Sequence, residues 1–380
     1  MRLSLADHQI LLILSLFFEV PVLLPAPTVL LALLQTQAPA YRADLDAGHY
    51  LKVMAEAEQR LRQDPKDAAA WAAKSQALSS LLRFGEARAA ADRAVALKPG
   101  LADALLARGL ARAGEAIKQR DLGSLRGALS AMDDLRAATE ADPTLTAAWT
   151  SLGLAYEMLP GLLGGSTRKA LQCADRLRAV SPARGDLLHA LILVEEDKWR
   201  EAEPFFQRAL AKAPQDPEVV GQWLDALDRR PAKKALGEAG KNARLLAEAP
   251  RLLPGVRARA LGVAAVSEAY LHAGQPEAAW KTAQEHLSQV DAPSLLRLQL
   301  GKVAASSGLH RPEGLLALDQ VLREPLEGGS SGYPGAWWRK GQILRDLGRK
   351  DEARHAAQEA LKLDPKHRGA RELMDKLGQD

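Results

Sequence analysis

Apolar residues recur along this chain at helical spacing, with polar and charged residues between them. The pattern is clearest in residues 336–365, AWWRKGQILRDLGRKDEARHAAQEALKLDP. Gly348 interrupts the pattern and Pro365 ends it, which predicts two helices joined by a short turn. Because the hydrophobic content comes mainly from Ala and Leu, and aromatic residues are only 4% of the chain, the sequence predicts an all-α protein.

The same pattern of two helices and a turn recurs earlier in the chain, where it matches the C-terminal unit less closely. Prolines that would end successive units stand at positions 65, 99, 143, 182 and 214. The steps between them are 34, 44, 39 and 32 residues, so we interpret two units as carrying insertions. The pattern blurs in residues 215–255, returns around Gly274, and continues through residues 293–324 to the last unit.

Residues 336–365 resemble a tetratricopeptide repeat. The residues at the positions that this family prefers are Trp337, Gly341, Leu344, Gly348, Ala353, Ala360 and Pro365. Gly341 and Ala353 would let two antiparallel helices approach each other closely. The resemblance extends from about residue 43 to residue 377. It implies a right-handed α-solenoid of about eight antiparallel helix pairs, closed by a C-terminal capping helix at residues 367–377.

The first 40 residues form a separate segment. Residues 10–34 are almost wholly apolar but contain one carboxylate and three prolines, so they do not form one uninterrupted apolar span. Ala38 and Ala40 fit the small-residue pattern before a signal-peptidase site, which predicts cleavage before Tyr41. A retained membrane anchor is the alternative. In both cases the repeats would lie outside the cytoplasm, in the periplasm or secreted.

We therefore divide the chain into four parts. Residues 1–40 are a signal peptide or N-terminal anchor, and residues 41–216 are the N-terminal repeats. Residues 217–255 are a degenerate repeat, and residues 256–380 are the C-terminal repeats with the capping helix.

Stacked helix pairs form a superhelix whose concave wall is built from the first helix of each pair. Candidate groove residues, one step beyond the buried positions, are Gln76, Thr150, Leu154, Glu157, Glu268, Leu271, Trp338, Gln342 and Arg345. Because Trp337 takes the packing position, Trp338 should point about 100° away, toward the groove or solvent. An exposed tryptophan there could anchor a ligand. Packing of Trp338 under the preceding loop EGGSSGYPG is the alternative.

Residues 159–171, LPGLLGGSTRKAL, interrupt one repeat with a glycine-rich loop. A phosphate-binding loop of the Walker type follows a strand and ends in Gly-Lys-Ser/Thr, whereas here a helical segment precedes and Ser166 follows Gly165. The repeat register therefore predicts an interhelix turn expanded by five residues. Gly161, Gly164 and Gly165 should adopt turn conformations, with positive φ at the last two.

The residues after the glycines should begin the next helix. Ser166 or Thr167 would cap it. Because the helix start also carries Arg168 and Lys169, free amides in the loop could still bind a carboxylate.

The loop is also similar to one in the periplasmic tetratricopeptide component associated with certain tripartite solute transporters. The matching residues are Pro160, Gly164, Gly165, Ser166, Lys169 and Ala170. The resemblance is local, and the chain lacks the lipobox of that component. It implies an alternative function, as an accessory component of a solute transporter that binds a small ligand.

Composition and motifs argue against catalysis and nucleic-acid binding. The formal net charge is +4, and basic and acidic residues are interleaved without a basic stripe. The eight histidines are dispersed, and the chain has no HExxH, GxSxG, Walker or dinucleotide-binding motif. Cys173, the single cysteine, is predicted to be a packed helical residue. We therefore expect no metal, no cofactor and no enzymatic activity, and predict an exported scaffold that binds a protein or peptide in its groove.

Overall fold

A computed structural model describes residues 39–119, 122–324 and 332–379, and these residues form helices and turns with no strand. The helices are α1 (Pro39–Ala47), α2 (Tyr50–Gln63), α3 (Ala68–Ser80), α4 (Phe84–Leu97), α5 (Ala102–Gln119), α6 (Leu122–Ala141), α7 (Thr146–Met158), α8 (Thr167–Val180), α9 (Pro182–Glu195), α10 (Trp199–Lys212), α11 (Pro217–Asp228), α12 (Arg230–Val256), α13 (Ala260–His272), α14 (Pro276–His286), α15 (Pro293–Ser307), α16 (Arg311–Arg323), α17 (Gly332–Asp346), α18 (Lys350–Leu363) and α19 (Arg368–Gln379).

Helices α3 to α18 form eight successive pairs, which α2 precedes and α19 follows. From α2 onward each helix packs against the next along the chain, and each first helix from α3 to α17 also packs against the first helix of the following pair. This stacking of neighbouring pairs defines an α-solenoid of tetratricopeptide-like repeats, so the predicted fold class is confirmed.

Residues with positive φ make the turn inside several pairs. Gly274, Gly308 and Gly348 have φ values of 76°, 77° and 76°, and Leu82 and Asp197 stand at the equivalent turns with φ near 60°. Such angles are common for glycine and uncommon for other residues, and the turns at Leu82 and Asp197 are closed by hydrogen bonds from the next amide to the Leu78 and Leu193 carbonyl oxygens.

Small residues let the helices approach each other. A Cβ added to Gly341 would lie 2.7 Å from Leu373 Cδ2 and 3.2 Å from the carbonyl oxygen of Ala353, as the repeat pattern predicts. The same hydrogen bond occurs at the start of two first helices, α3 and α7. In each, the indole Nε1 of a tryptophan, Trp71 or Trp149, donates to the carbonyl oxygen of the proline six residues earlier, at 3.0 and 2.9 Å.

Residues 217–256 form a complete helix pair although their sequence pattern is blurred. Trp223 of α11 is fully buried and stacks on Trp199, with 5.8 Å between ring centroids. The irregularity lies within α12, where Gly237 has non-helical φ and ψ of 69° and 168° and kinks the helix. Burial of the large aromatic side chains thus stabilises a pair that lacks the usual repeat residues.

The chain divides into two compact units, residues 1–43 and residues 44–380. The predicted targeting segment lies, up to residue 38, outside the described residues, and the predicted cleavage position before Tyr41 falls within α1. None of the described helices combines the length and hydrophobicity needed to cross a bilayer.

The glycine-rich loop is an interhelix turn between α7 and α8, as predicted. Gly161–Leu163 form one 3₁₀ turn, Gly164 has a φ of 87°, and the Ser166 side chain accepts a hydrogen bond from the Lys169 amide. The prediction of positive φ at Gly165 is wrong. Gly165 is required for another reason, because an added Cβ would overlap the Leu159 carbonyl oxygen.

We expect Gly165→Ala to lower the free energy of unfolding by about 1–3 kcal/mol, because the methyl group would force the backbone at Leu159 to move. Gly164→Ala should cost about 1 kcal/mol through its positive φ. Gly161→Ala is the matched control, since its Cβ meets open space. Urea denaturation measures all three, and equal stability of the Gly165 and Gly161 variants would contradict this account of the loop.

Candidate functional site

One row of residues on the first helices stands six positions before the turns at Leu82, Asp197, Gly274, Gly308 and Gly348. Its members are Gln76, Leu191, Glu268, Lys302 and Gln342, on α3, α9, α13, α15 and α17. Three of them belong to the helices α13, α15 and α17, which pack side by side. There the row carries a carboxylate, an ammonium and an amide side chain, on Glu268, Lys302 and Gln342.

Glu268 is the centre of an ion network between α13 and α15. Its carboxylate accepts hydrogen bonds from Lys302 Nζ and from Gln299 Nε2, the latter at 3.1 Å, and lies 2.9 Å from His272 Nε2. Burial alone would raise the pKa of Glu268, but His272 and Lys302 lower it to about 2. Glu268 is therefore ionised throughout the physiological range.

The network continues toward α11 and α12. His272 Nδ1 lies 3.1 Å from Asp228 Oδ2, and the buried Lys241 donates to Asp228 Oδ1 at 2.9 Å. Burial opposes the ionised form of Asp228, but hydrogen bonds and charges from Lys241 and His272 lower its pKa. These four helices are thus joined by paired charges.

Arg339, on α17, differs from this pattern. Its guanidinium forms no hydrogen bond or ion pair with the described residues and instead lies over the Trp338 ring, 4.8 Å from the centroid. Burial lowers the pKa of Arg339, and the charge of Glu268 offsets this only in part. One turn further along α17, Gln342 Oε1 is buried and accepts no hydrogen bond. A half-buried cation without a counter-charge is a candidate contact for a carboxylate from outside the chain.

Trp338 does not occupy the exposed position that the sequence predicts. Its ring is half-buried against α19, where an added Cβ on Gly369 would collide with the indole and the His367 ring lies 5.3 Å away. The alternative of packing under the preceding loop involves residues 325–331, which lie outside the described residues. Trp338 therefore supports the surface next to Arg339, and its own role in binding stays a prediction.

The other predicted groove residues are partly engaged by neighbours. Arg345 Nε and Nη2 donate to Asp346 at 2.9 and 2.6 Å, and Thr150 Oγ1 donates to the Thr146 carbonyl oxygen at 3.1 Å. Leu154 packs against the core of α7 and α8. Gln76 is buried and donates to the Asp103 carbonyl oxygen at 3.4 Å, so it is not available at a groove surface.

Glu157 lies at the end of α7 among other acidic residues. Burial and the charges of Glu196 and Glu195 raise its pKa, against a hydrogen bond from Thr167. The single hydroxyl proton of Thr167 is shared between Glu157 and Glu196, whose Oε1 lies 3.2 Å from Thr167 Oγ1, and Glu195 pairs with Arg229 at 2.6 Å. The described residues contain no cluster of His, Cys, Asp or Glu suited to a metal ion.

Cys173 is buried, and burial raises the pKa of its thiol to about 11. The thiol is therefore protonated at neutral pH, which agrees with the predicted packing role and disfavours a nucleophile.

The glycine-rich loop does not offer the free amides that the sequence allowed. The amides of Gly164, Gly165 and Ser166 donate to the carbonyl oxygens of Gly161, Pro160 and Tyr156, at 3.0, 3.2 and 2.7 Å. The Lys169 ammonium lies over the Tyr156 ring, 5.3 Å from its centroid. Since these donors are used within the protein, the loop acts as a structural turn.

Comparison with known families gives one match. A family described as tetratricopeptide repeat matches residues 334–367, which include the segment where the sequence pattern is clearest. Folds of this kind generally mediate protein–protein interaction. Comparison with curated protein sequences gives no match.

Two solved structures are similar to this chain. One, described as a functional characterization of Pseudomonas aeruginosa PilF, is 16% identical with a TM-score of 0.39, over 61% of this chain and 97% of that chain. The other, the APC/C hetero-tetramer Cut9–Hcn1, is 13% identical with a TM-score of 0.41, over 86% of this chain. This chain covers 52% of that second chain, about half its length. The likeness of the loop to a transporter component stays a prediction.

The sequence reasoning missed Arg339, Gln299 and Lys302. Lys302 could have been found from its spacing, because it stands six residues before Gly308 as Gln342 does before Gly348. Arg339 gave no such signal, since only the packing around it shows that it lacks a partner.

The Glu268 network predicts a specific loss of stability in acid. Because the pKa of Glu268 is lower in the folded chain than in the unfolded one, its contribution is present above about pH 4.5 and is lost as the pH falls toward 2. Between pH 6 and pH 3 we expect the wild type to lose about 2 kcal/mol more than Glu268→Gln in urea unfolding. Glu201→Gln, at an exposed glutamate outside the network, is the control and should follow the wild type.

Proposed function

We propose that this chain is an exported, noncatalytic scaffold that binds a protein partner through the first-helix faces of α13, α15 and α17. The partner would place a carboxylate, from an acidic side chain or a chain terminus, against Arg339. The observation that carries this proposal is the half-buried, unpaired guanidinium of Arg339 in a region where every neighbouring charge of the network is paired.

Two further observations support the proposal. The Glu268 network fixes the neighbouring helices, so the surface around Arg339 is preorganised for a ligand. The aromatic ring of Trp338 lies beneath Arg339 and limits its rotamers, which lowers the entropy lost on binding. The apolar first 40 residues support export, as a cleaved signal peptide or an anchor.

Affinity capture with the purified repeats tests partner binding. We expect Arg339→Gln to weaken binding of the captured partner about 10- to 100-fold, the loss typical when one partner of a buried charged hydrogen bond is removed. Urea stability of the same variant should be unchanged or higher, because an uncompensated buried charge is removed. Arg349→Gln is the matched control, since that arginine is exposed and pairs with Glu352. Equal partner recovery with Arg339→Gln would refute the site.

Cell fractionation tests the proposed location. We expect the chain carrying a C-terminal tag to appear in the extracytoplasmic fraction, with Tyr41 as its N-terminal residue if the segment is cleaved. Recovery in the membrane with an intact N-terminus would select the anchor, whereas recovery in the cytoplasm would contradict export.

A further inference from the structure

Residues 44–49, at the start of the helical array, contact residues more than 200 positions later in the chain. The Ala47 carbonyl oxygen accepts a hydrogen bond from Arg259 Nη2 at 3.0 Å, and His49 Nε2 lies 3.2 Å from Asp291 Oδ2. We call Asp44, Ala47, His49, Arg259 and Asp291 the polar latch. It joins the N-terminal end of the array to the start of α13.

Asp291 is the fixed side of the polar latch. Its Oδ1 accepts from the Ala260 amide at 2.8 Å, at the first residue of α13, and its Oδ2 lies 2.9 Å from Arg259 Nε. Gly48, with a φ of 82°, lies so close to this region that an added Cβ would be 3.1 Å from Leu261 Cδ1. The Asp291 carboxylate is therefore held in place without any contribution from His49.

His49 contacts Asp291 from the N-terminal side of the latch. Its ring lies between two carboxylates. Its Nδ1 is 2.9 Å from Asp44 Oδ1, while its Nε2 faces Asp291. A neutral imidazole carries only one N–H, so it can donate to one of these carboxylates and presents a lone pair to the other. Only the protonated ring donates to both.

Other charged groups surround the latch. Lys52 of α2 donates to Asp44 Oδ2 at 2.8 Å, and Arg259 pairs with Asp291. On α9, burial would lower the pKa of Arg184, but the charges of Glu218, Asp216 and Asp46 raise it. These cations keep their charge at neutral pH, so His49 is the member of the latch whose charge changes near neutrality.

We propose that the polar latch is a pH-sensitive closure of the helical array, held shut by protonated His49 and weakened when the ring loses its proton. The hydrogen bond to Asp44 raises the pKa of His49, against burial and with further help from Asp291. Lys52 and His49 lower the pKa of Asp44, so that carboxylate stays ionised in mild acid.

The direction of the pH dependence follows from these shifts. Because the pKa of His49 is raised in the closed form, the stabilisation is complete below about pH 6.5 and is lost as the pH rises through the raised value. Opening would release residues 44–49 from the start of α13. The N-terminal end of the array formed by helices α3 to α11 would then no longer be attached to α13. The latch is separate from Arg339, so it can be tested without the partner.

A distance measurement between spin labels tests the proposal. The labels would be placed on Gln59→Cys and Ser288→Cys, two exposed positions on either side of the latch, in a Cys173→Ser background. In the wild-type latch we expect one short, narrow distance distribution at pH 5.5 and a longer or broader one at pH 8.5. An unchanged distribution between the two pH values would overturn the proposal.

Three variants assign the response to His49. His49→Gln should remove the pH dependence, and His49→Arg, which stays charged, should keep the short distance at pH 8.5. His310→Gln is the matched control, because His310 also pairs with a carboxylate, that of Glu277, but lies outside the latch, and it should respond as the wild type does. A full pH response in His49→Gln, or its loss in His310→Gln alone, would show that the closure does not depend on His49.

Discussion

Close approach of helix backbones at alanine and glycine positions is the constraint on which the whole structure depends. In the first helices such residues lie where a larger side chain would strike the neighbouring helix, as Gly301 does against Leu318 and Gly153 against Leu188. Short side chains bury little apolar area each, so stability must come from many interfaces in series. The two largest fully buried side chains, Trp223 and Phe206, pack with Trp199 next to the start of the segment where the repeat pattern blurs.

This tight packing decides where charge can be placed. A polar side chain between closely packed helices must be paired, and Glu268, Lys302, His272 and Asp228 satisfy this requirement across three pairs. Among the described residues, Arg339 is a half-buried cation beside this network without a hydrogen bond or ion pair. Arg339 is therefore the strongest candidate for contact with a partner, because the charge of Glu268 offsets the cost of burying it only in part.

The same array brings distant parts of the chain together. Because a solenoid turns gradually, its first residues can return to a later helix pair, and residues 44–49 reach the start of α13 in this way. The contact consists of hydrogen bonds and ion pairs at the ends of helices. Like the Glu268 network between adjacent pairs, such a junction depends on the charge state of its members.

Most helix pairs, turns and packing residues could be predicted from the sequence, because local rules govern them. The backbone geometry of one repeat requires small residues at Gly341 and Ala353, where helices approach, and a positive φ at Gly348, in the turn. Ser166 caps α8 for a similarly local reason. Tertiary structure alone decided the rest. The need for glycine at residue 165 comes from the Leu159 carbonyl oxygen, the burial of Trp338 from α19, and the contact of His49 with Asp291 from the course of the entire array. Each of these contacts joins atoms that do not lie on the same helix. The periodic pattern of residues along one helix therefore could not predict it.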